Sequence, residues 1–197
     1  MKIHAKADFS AKTTETEDNM AELWDLYNEN REKIGRTMER GKPIPEGCCH
    51  LVIHVCVFDG GGRMLIQQRQ PFKEDWSNLW DLTVGGSAIA GDTGRTAAER
   101  ECLEELGYPL SLKNERPSLT IHFDGGFDDI YCVRRDIDIS SLKLQFEEVQ
   151  AVKWADKNEI FAMIDSGEFI PYHKALIELL FLSSTQRGTH MREDKKG

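Results

Sequence analysis

The pattern of hydrophobic and polar positions predicts a core of β-strands in the middle of the chain. Residues 50–58 (HLVIHVCVF) are almost continuously apolar, which is typical of a strand buried on both faces. The glycine-rich segment 59–62 predicts a turn, and residues 63–69 predict the strand that pairs with the first as a hairpin. Upstream, two short apolar runs around a polar turn predict a separate β-hairpin over residues 22–40.

The middle of the chain predicts a strand, a glycine-rich loop and a helix in succession. Residues 78–84 predict a strand that leads directly into a loop containing four glycines. We expect a helix over residues 96–106, because Gly107 stands where a glycine commonly ends a helix.

The second half of the chain predicts more strands and two helices. The predicted strands are residues 118–123, 129–134 and 148–154, and the predicted helices are 157–164, capped by Asp156 and closed by Gly167, and 171–182, opened by Pro171. Strands on both sides of a central helix, with further helices at the end, predict a single domain with an α/β (α+β) fold. The polar segments 1–20 and 183–197 predict flexible tails around a domain at 21–182.

Three carboxylates share one face of the central predicted helix. Glu101, Glu104 and Glu105 stand at positions i, i+3 and i+4, where like charges repel each other and destabilise a helix. A hard divalent cation such as Mg²⁺ or Mn²⁺ would neutralise this face, because such ions prefer oxygen ligands. A solvated charged surface is the alternative interpretation.

The spacing of these residues and their neighbours resembles the Nudix box, which here spans residues 86–108. The fixed positions are Gly86, Asp92, Arg100, Glu101, Glu104, Glu105 and Gly107. One departure is Asp92, which is one methylene shorter than the glutamate that the family usually has there. The resemblance implies a Nudix-type α/β/α sandwich around a mixed sheet, with its core at residues 48–165 and the N-terminal β-hairpin as an addition. The hairpin and the segment that follows it are similar to the branch that contains isopentenyl-diphosphate isomerase.

The resemblance also implies a metal site. Glu101 and Glu105 match the usual metal ligands, Glu104 stands within reach, and Gly85 matches the residue whose backbone carbonyl usually binds the metal. Arg100 would orient a neighbouring carboxylate through a charge-assisted hydrogen bond. The implied cofactor is Mg²⁺ or Mn²⁺.

A further carboxylate on a later loop commonly serves as the base in this family. Glu147 and Glu148, which precede a predicted strand, match that position. Asp128 and Asp129 are the alternative pair, and an exposed loop carboxylate with no role is the other interpretation of each.

Four other residues are candidates for substrate binding. Arg69 ends a predicted strand and could hold a phosphate, and Trp76 lies in the loop before the box. His50 and His54 stand at i and i+4 on one strand, so their side chains point to the same face. Each also has a plain structural interpretation, as a surface arginine, a packed tryptophan or satisfied core histidines.

Two chemistries compete. Nudix hydrolases use a metal-activated water to cleave a diphosphate linked to another moiety. The isomerase instead protonates and deprotonates an alkene, with a cysteine and a metal-binding histidine at the positions of Gly85 and Ser87. Neither residue here can perform those roles, which favours hydrolysis. The remaining alternative is a non-catalytic module that binds a nucleotide.

Composition narrows the choice of partners and compartment. The net charge of −9 argues against binding to a nucleic acid polymer or an anionic membrane, and no apolar run approaches the length of a membrane span. The five cysteines are odd in number and lack a zinc-site spacing, so we expect free thiols in a cytoplasmic protein. We therefore expect a small-molecule diphosphate substrate, and the hairpin and the apolar last helix could serve a homodimer.

Overall fold

The computed structural model describes residues 21–186 together with residues 188 and 190. Nine strands are present in this part of the chain: β1 (Leu23–Tyr27), β2 (Lys33–Glu39), β3 (His50–Phe58), β4 (Met64–Arg69), β5 (Trp80–Asp81), β6 (Val84–Ser87), β7 (Leu119–Phe123), β8 (Gly126–Arg134) and β9 (Val149–Ala155). Three α-helices accompany them: α1 (Gly94–Leu106), α2 (Lys157–Ser166) and α3 (Lys174–Thr185). None of these helices combines the length and apolarity that crossing a membrane requires.

Strand β3 is the centre of a mixed seven-stranded sheet. It runs parallel to β8 along its whole length, from His50 beside Gly126 to Phe58 beside Arg134. It also runs antiparallel to β6, with its residues 52–55 opposite residues 84–87. Strands β5 and β9 complete the sheet on β4, and β7 completes it on β8.

Helices cover both faces of this sheet, so the predicted α/β/α sandwich is confirmed. On one face, Ile53 and Val55 of β3 pack in a cluster with Ala98 and Cys102 of α1. On the other, Cys56 and Phe58 belong to a cluster with residues of α2 and α3. Alternate side chains of the same strand thus enter two separate cores, which explains the continuous apolar run in its sequence.

The central helix has the predicted position and end. Gly107 follows it in the left-handed conformation, with φ of 64°, and donates its N–H to carbonyls of the last turn. The helix starts two residues before the predicted first residue, because Thr93 caps it: the Thr93 and Thr96 side chains each accept from the other residue's backbone N–H. The carboxylates of Glu101 and Glu105, which face strands β6 and β4, are therefore carried by a well-capped helix.

Pairing between distant strands changes two of the predicted elements. Residues 78–84 do not form one strand. They contribute β5 and the first residue of β6, while Gly85 and Gly86 extend β6 rather than opening a loop. The turn after β3 is present, but the predicted hairpin has one residue pair between its strands, Phe58 opposite Met64. Beyond that pair, β3 runs beside β6 and β8, and β4 runs beside β5 and β9.

The C-terminal helices follow the predicted signals in part. Asp156 caps α2 with its side chain, and Gly167 ends it with φ of 76°, as expected. Helix α3 begins at Lys174 rather than Pro171, because Ile170 still donates a backbone hydrogen bond to Trp80 and remains extended. It continues to Thr185, three residues into the segment that was predicted as a tail. The other predicted tail, residues 1–20, lies outside the described residues.

The N-terminal β-hairpin, formed by β1 and β2, is confirmed and is tied to the main body. Leu23 accepts a backbone hydrogen bond from Ala90, at 2.7 Å, in the segment before α1. Arg31, in the turn of the hairpin, pairs with the buried carboxylate of Asp129 on β8 at 2.8 Å. These contacts fix the ends of the hairpin, Glu22 and Arg40, beside the carboxylates of α1.

Candidate active site

Helix α1 presents its three glutamates at very different depths. Glu105 is only 6% exposed, while the side chain of Glu104 is 50% exposed. Glu101 lies between these extremes and rests against the backbone of β6, where a Cβ atom on Gly86 would overlap its carboxylate. A glycine at position 86 is therefore needed to let the Glu101 carboxylate approach the strand.

Arg100 connects the acidic side chains around the helix. Its guanidinium donates to Glu101 and to Glu104, each at 3.0 Å, and to the backbone carbonyl of Ser87 at 3.2 Å. It also pairs with Asp92 at 3.1 Å. The shorter aspartate in the box thus keeps the contact with the arginine that the family's glutamate usually makes.

Burial sets the electrostatics of the two inner carboxylates. Desolvation raises the pKa of Glu101, although the positive charge of Arg100 opposes the rise. Desolvation also raises the pKa of Glu105, and the negative charge of Glu101 raises it further. The Nε2 of Gln67 donates to Glu105 at 3.1 Å and opposes this rise only in part. Glu105, which is buried, and Glu101, which is partly buried, thus form an acidic pair that a cation would stabilise.

Arg100 and the three glutamates of α1 line a cleft of about 600 Å³. Three other parts of the chain form its walls: the ends of the N-terminal hairpin, the loop between β4 and β5, and the loop before β9. The lining side chains outside α1 and β6 are Glu22, Arg40, Arg69, Phe72, Lys73, Glu74, Asp75, Gln145, Glu147 and Glu148. The cleft therefore combines an acidic floor with basic residues from separate loops.

The predicted late carboxylates lie in the cleft, whereas the alternative pair does not. Glu147 and Glu148 both line it, and Glu148 forms an ion pair with Lys73 at 2.6 Å. Asp128 instead pairs with His54 at 2.9 Å, and Asp129 is held by Arg31. Glu147 and Glu148 are therefore the pair that stands near the box.

Three predicted substrate-binding residues do not line this cleft. His50 is buried and stacks on Trp24 with ring centroids 4.5 Å apart, and burial lowers the pKa of this histidine. Burial also acts to lower the pKa of His54, but the Asp128 carboxylate outweighs it and the pKa is raised. Trp76 is 51% exposed and is not among the residues that line the cleft. Arg69, the fourth candidate, does line the cleft.

Comparison with known proteins identifies the family. The sequence matches the NUDIX domain over residues 50–178. The chain belongs to the Nudix family. It is 50% identical to an uncharacterised Nudix hydrolase of Listeria innocua over 151 residues, which cover 77% of this chain and 89% of the relative.

Two other Nudix relatives bear on the fold and on the branch. The crystal structure of a Deinococcus radiodurans protein matches with a TM-score of 0.63 at 26% identity, over 81% of this chain and 97% of that one. An isopentenyl-diphosphate Delta-isomerase of Streptomyces coelicolor is 37% identical over 93 residues, which cover 47% of each chain. The predicted resemblance to the isomerase branch is thereby confirmed. The protein is an enzyme of the Nudix hydrolase family, whose members act on nucleoside diphosphate derivatives.

The residues of this Nudix site fit a divalent metal, which the family generally uses. Within the described part of the chain, no group of three histidine, cysteine, aspartate or glutamate side chains is arranged closely enough to hold a metal without some movement. The fit rests instead on the acidic pair Glu101 and Glu105 and on Gln67, whose buried Oε1 has no hydrogen-bond partner among the described residues. Two oxygen-rich side chains and an unsatisfied acceptor are the surroundings that Mg²⁺ or Mn²⁺ and its bound water prefer.

Sequence reasoning missed several residues of the cleft. Lys73 and Phe72 fall in a segment that the sequence identifies simply as loop. Glu22 and Arg40 reach the site because the hairpin folds back onto α1, and no local signal in the sequence predicts that contact. Gln67 could have been found, because a glutamine on a strand that is otherwise buried needs a polar partner.

Proposed function

We propose that this protein hydrolyses a diphosphate linked to another moiety, with Mg²⁺ or Mn²⁺ as its cofactor and water attacking phosphorus. One observation carries the proposal: the buried Glu105 and the partly buried Glu101 both line an open cleft, where desolvation raises the pKa of each group and the charge of Glu101 raises that of Glu105 further. A fold does not normally retain such a pair without a cation to neutralise it.

The roles of the metal ligands follow from this arrangement. Glu101, Glu105 and the carbonyl of Gly85 would hold the ion, with Glu104 as a further ligand or catalytic carboxylate at the mouth. When bound, the metal polarises phosphoryl oxygens and lowers the pKa of a coordinated water. Arg100 keeps the Glu101 carboxylate directed at the site, since it donates to Glu101 and is itself fixed by Asp92.

Residues on the opposite wall would activate water and bind phosphate. Glu148 is the first candidate for the general base and Glu147 the second, because both carboxylates face the cleft. Arg69 and Lys73 would contact the phosphate oxygens of the substrate. The ion pair with Lys73 supports the role of Glu148, since it fixes the carboxylate at one position of the wall.

The test is release of orthophosphate or a nucleoside monophosphate from a panel of diphosphates in the presence of Mg²⁺ or Mn²⁺. The variant Glu105→Gln should lose on the order of 10³-fold in turnover if the metal is essential. Glu178→Gln makes the same chemical change on exposed α3, where Glu178 pairs with Lys157, and should retain wild-type turnover. Turnover of the Glu105 variant equal to that of wild type contradicts the proposal.

The isomerase alternative rests on the similarity to isopentenyl-diphosphate isomerase. It predicts exchange of allylic protons in a prenyl diphosphate without release of phosphate. Its reacting cysteine would stand at Gly85, where a Cβ atom would come within 2.8 Å of the His54 ring. The third candidate, a nucleotide-binding module, predicts binding of a nucleotide with no turnover.

We further propose a cytoplasmic location and a homodimer. The five cysteines are free thiols, and Cys56 and Cys132 remain unlinked although they are neighbours on β3 and β8. This arrangement fits a reducing compartment. The exposed Leu179 and Leu182 on α3 could form part of a dimer contact, which sedimentation velocity would detect.

A further inference from the structure

Two exposed phenylalanines lie together at the edge of the cleft. Phe72 is 57% exposed and Phe146 is 69% exposed, and their ring centroids are 5.7 Å apart at an interplanar angle of 42°. Phe72 lines the cleft, and Phe146 stands between two residues that line it, Gln145 and Glu147. Large apolar side chains that remain exposed as a pair beside a binding cleft commonly contact a ligand.

The loops that carry these rings are fixed to each other. Lys73, next to Phe72, forms its ion pair with Glu148, two residues after Phe146. Gln70, two residues before Phe72, donates its backbone N–H to the carbonyl of Glu148 at 3.1 Å and its side-chain amide to the carbonyl of Val149 at 3.3 Å. The ring pair therefore has a defined position next to Glu148, the proposed base, rather than varying with two independent loops.

The rest of the cleft is polar, which limits the chemistry of a group that could rest on the rings. Among the described residues that line it, Phe72 carries the one apolar side chain. A flexible prenyl chain gains binding energy in proportion to the apolar area it buries, and this cleft offers it no enclosing apolar walls. A planar aromatic base, in contrast, needs only the face of a ring on which to stack and leaves its polar edge in water.

We propose that Phe72 and Phe146 form a platform for the base of a nucleoside diphosphate derivative. Stacked there, the nucleoside places its phosphates towards Lys73 and Arg69 and the acidic floor of the cleft. This inference rests on the proposed hydrolysis, and it identifies the two side chains that would hold the base of a nucleotide substrate. Phe72 and Phe146 contact the substrate, but they set its recognition rather than the chemical step.

The test compares two substrates that differ only in the base: ADP and ribose 5-diphosphate. The variants are Phe72→Ala, Phe146→Ala and their double variant, all at exposed positions where the fold should be unaffected. The double variant should raise KM for ADP about 5- to 100-fold, the range expected for loss of base–aromatic stacking, with kcat within about threefold. Its KM for ribose 5-diphosphate should not change.

Two control variants separate stacking from a general surface effect. Phe72→Tyr keeps a ring and should retain the KM of the wild-type enzyme for ADP. Ile121→Ala removes an exposed apolar side chain from β7, outside the lining of the cleft, and should change neither substrate's KM. An equal rise of KM for ADP and ribose 5-diphosphate in the double variant overturns the platform, and so does an unchanged KM for ADP.

Binding measurements distinguish failure of the platform from failure of the proposed hydrolysis. If the wild-type protein does not hydrolyse ADP, calorimetry with the non-hydrolysable α,β-methylene analogue still tests the platform. Weaker binding in the double variant then supports the platform, while the absence of turnover excludes ADP as a substrate, and hydrolysis itself fails only if no diphosphate of the panel is cleaved. Equal binding of the analogue by both proteins, or tighter binding of dimethylallyl diphosphate than of the analogue by wild type, overturns the platform.

Discussion

Replacing Glu105 with glutamine should make the metal-free protein more stable while it removes activity. Burial and the charge of Glu101 raise the pKa of Glu105, so the folded protein binds this proton more tightly than the unfolded chain does. The group therefore stabilises the fold at pH values below its unfolded pKa, and this contribution is lost as pH rises through the folded pKa. At pH values above the unfolded pKa and without metal, folding must either bury this charge or take up a proton, and both cost free energy that a glutamine avoids.

The size of this cost follows from the surroundings of the side chain. A buried ion costs several kcal/mol of desolvation, and repulsion from Glu101 at i+4 spacing adds about 0.2–0.5 kcal/mol. The hydrogen bond from Gln67 offsets about 1.5–3 kcal/mol of this, as a bond to a charged group does. A neutral amide keeps that bond and can also donate to the unpartnered Oε1 of Gln67. We therefore expect the variant to gain about 1–2 kcal/mol, or roughly 2–8 °C in Tm for a domain of this size.

Thermal unfolding at pH 7 in EDTA measures this difference. Glu104→Gln is the matched control, because the same change at a half-exposed position of the same helix should shift stability by no more than about 0.5 kcal/mol. The free energy of unfolding of the wild-type protein should also increase as pH falls below 7, because the folded state binds a proton at Glu105. The increase should be smaller in the Glu105 variant, which lacks this titrating group. Adding Mg²⁺ at 100 times its Kd should raise the wild-type Tm by about 5–10 °C and leave the Glu105 variant nearly unchanged. A Glu105 variant less stable than wild type in EDTA refutes the reasoning.

Three further variants test the support around this site. Arg100→Lys should lower kcat/KM at least about 10-fold in steady-state assays, because one ammonium group cannot hold the carboxylates of Asp92, Glu101 and Glu104 together as the planar guanidinium does. Activity equal to that of wild type would contradict this role of Arg100. Gly86→Ala should displace the Glu101 carboxylate and weaken Mg²⁺ binding in a calorimetric titration. Gly61→Ala, in the turn after β3, is the control, and equal Mg²⁺ affinity in the two variants would show that the close approach of Glu101 to residue 86 is unimportant. Thr93→Ala should cost about 1 kcal/mol and lower Tm by about 2–4 °C in a thermal melt, through loss of the helix cap; an unchanged Tm would mean that the cap contributes nothing.

The parts of the fold that the sequence predicts well are those decided by neighbouring residues. Gly107 and Gly167 end their helices in the left-handed conformation, and Asp156 caps α2, because each of these signals acts within one turn of chain. The box carboxylates are also local, since a helix of known position fixes which side chains share a face. Their unequal depth was not predictable, because burial of Glu105 depends on β4, through Gln67.

The parts that the sequence predicts poorly depend on partners far along the chain. Gly85 and Gly86 resemble a loop, yet they pair as a strand with residues of β3 that lie more than 30 positions earlier. The last helix starts late because Ile170 pairs with Trp80, a contact that the helix-favouring Pro171 does not reveal. The walls of the cleft have the same origin, since Lys73 meets Glu148 only after two loops are brought together by the sheet.

The close packing of Gly85 against His54 has a consequence for the order in which this site could change during evolution. A side chain at position 85 would meet the imidazole at 2.8 Å, and that ring is held in place by Asp128. A cysteine introduced first would therefore have to displace the imidazole from Asp128, whereas a cysteine introduced after position 54 had become smaller would not. The two orders of substitution thus differ in their structural cost at this pair of positions.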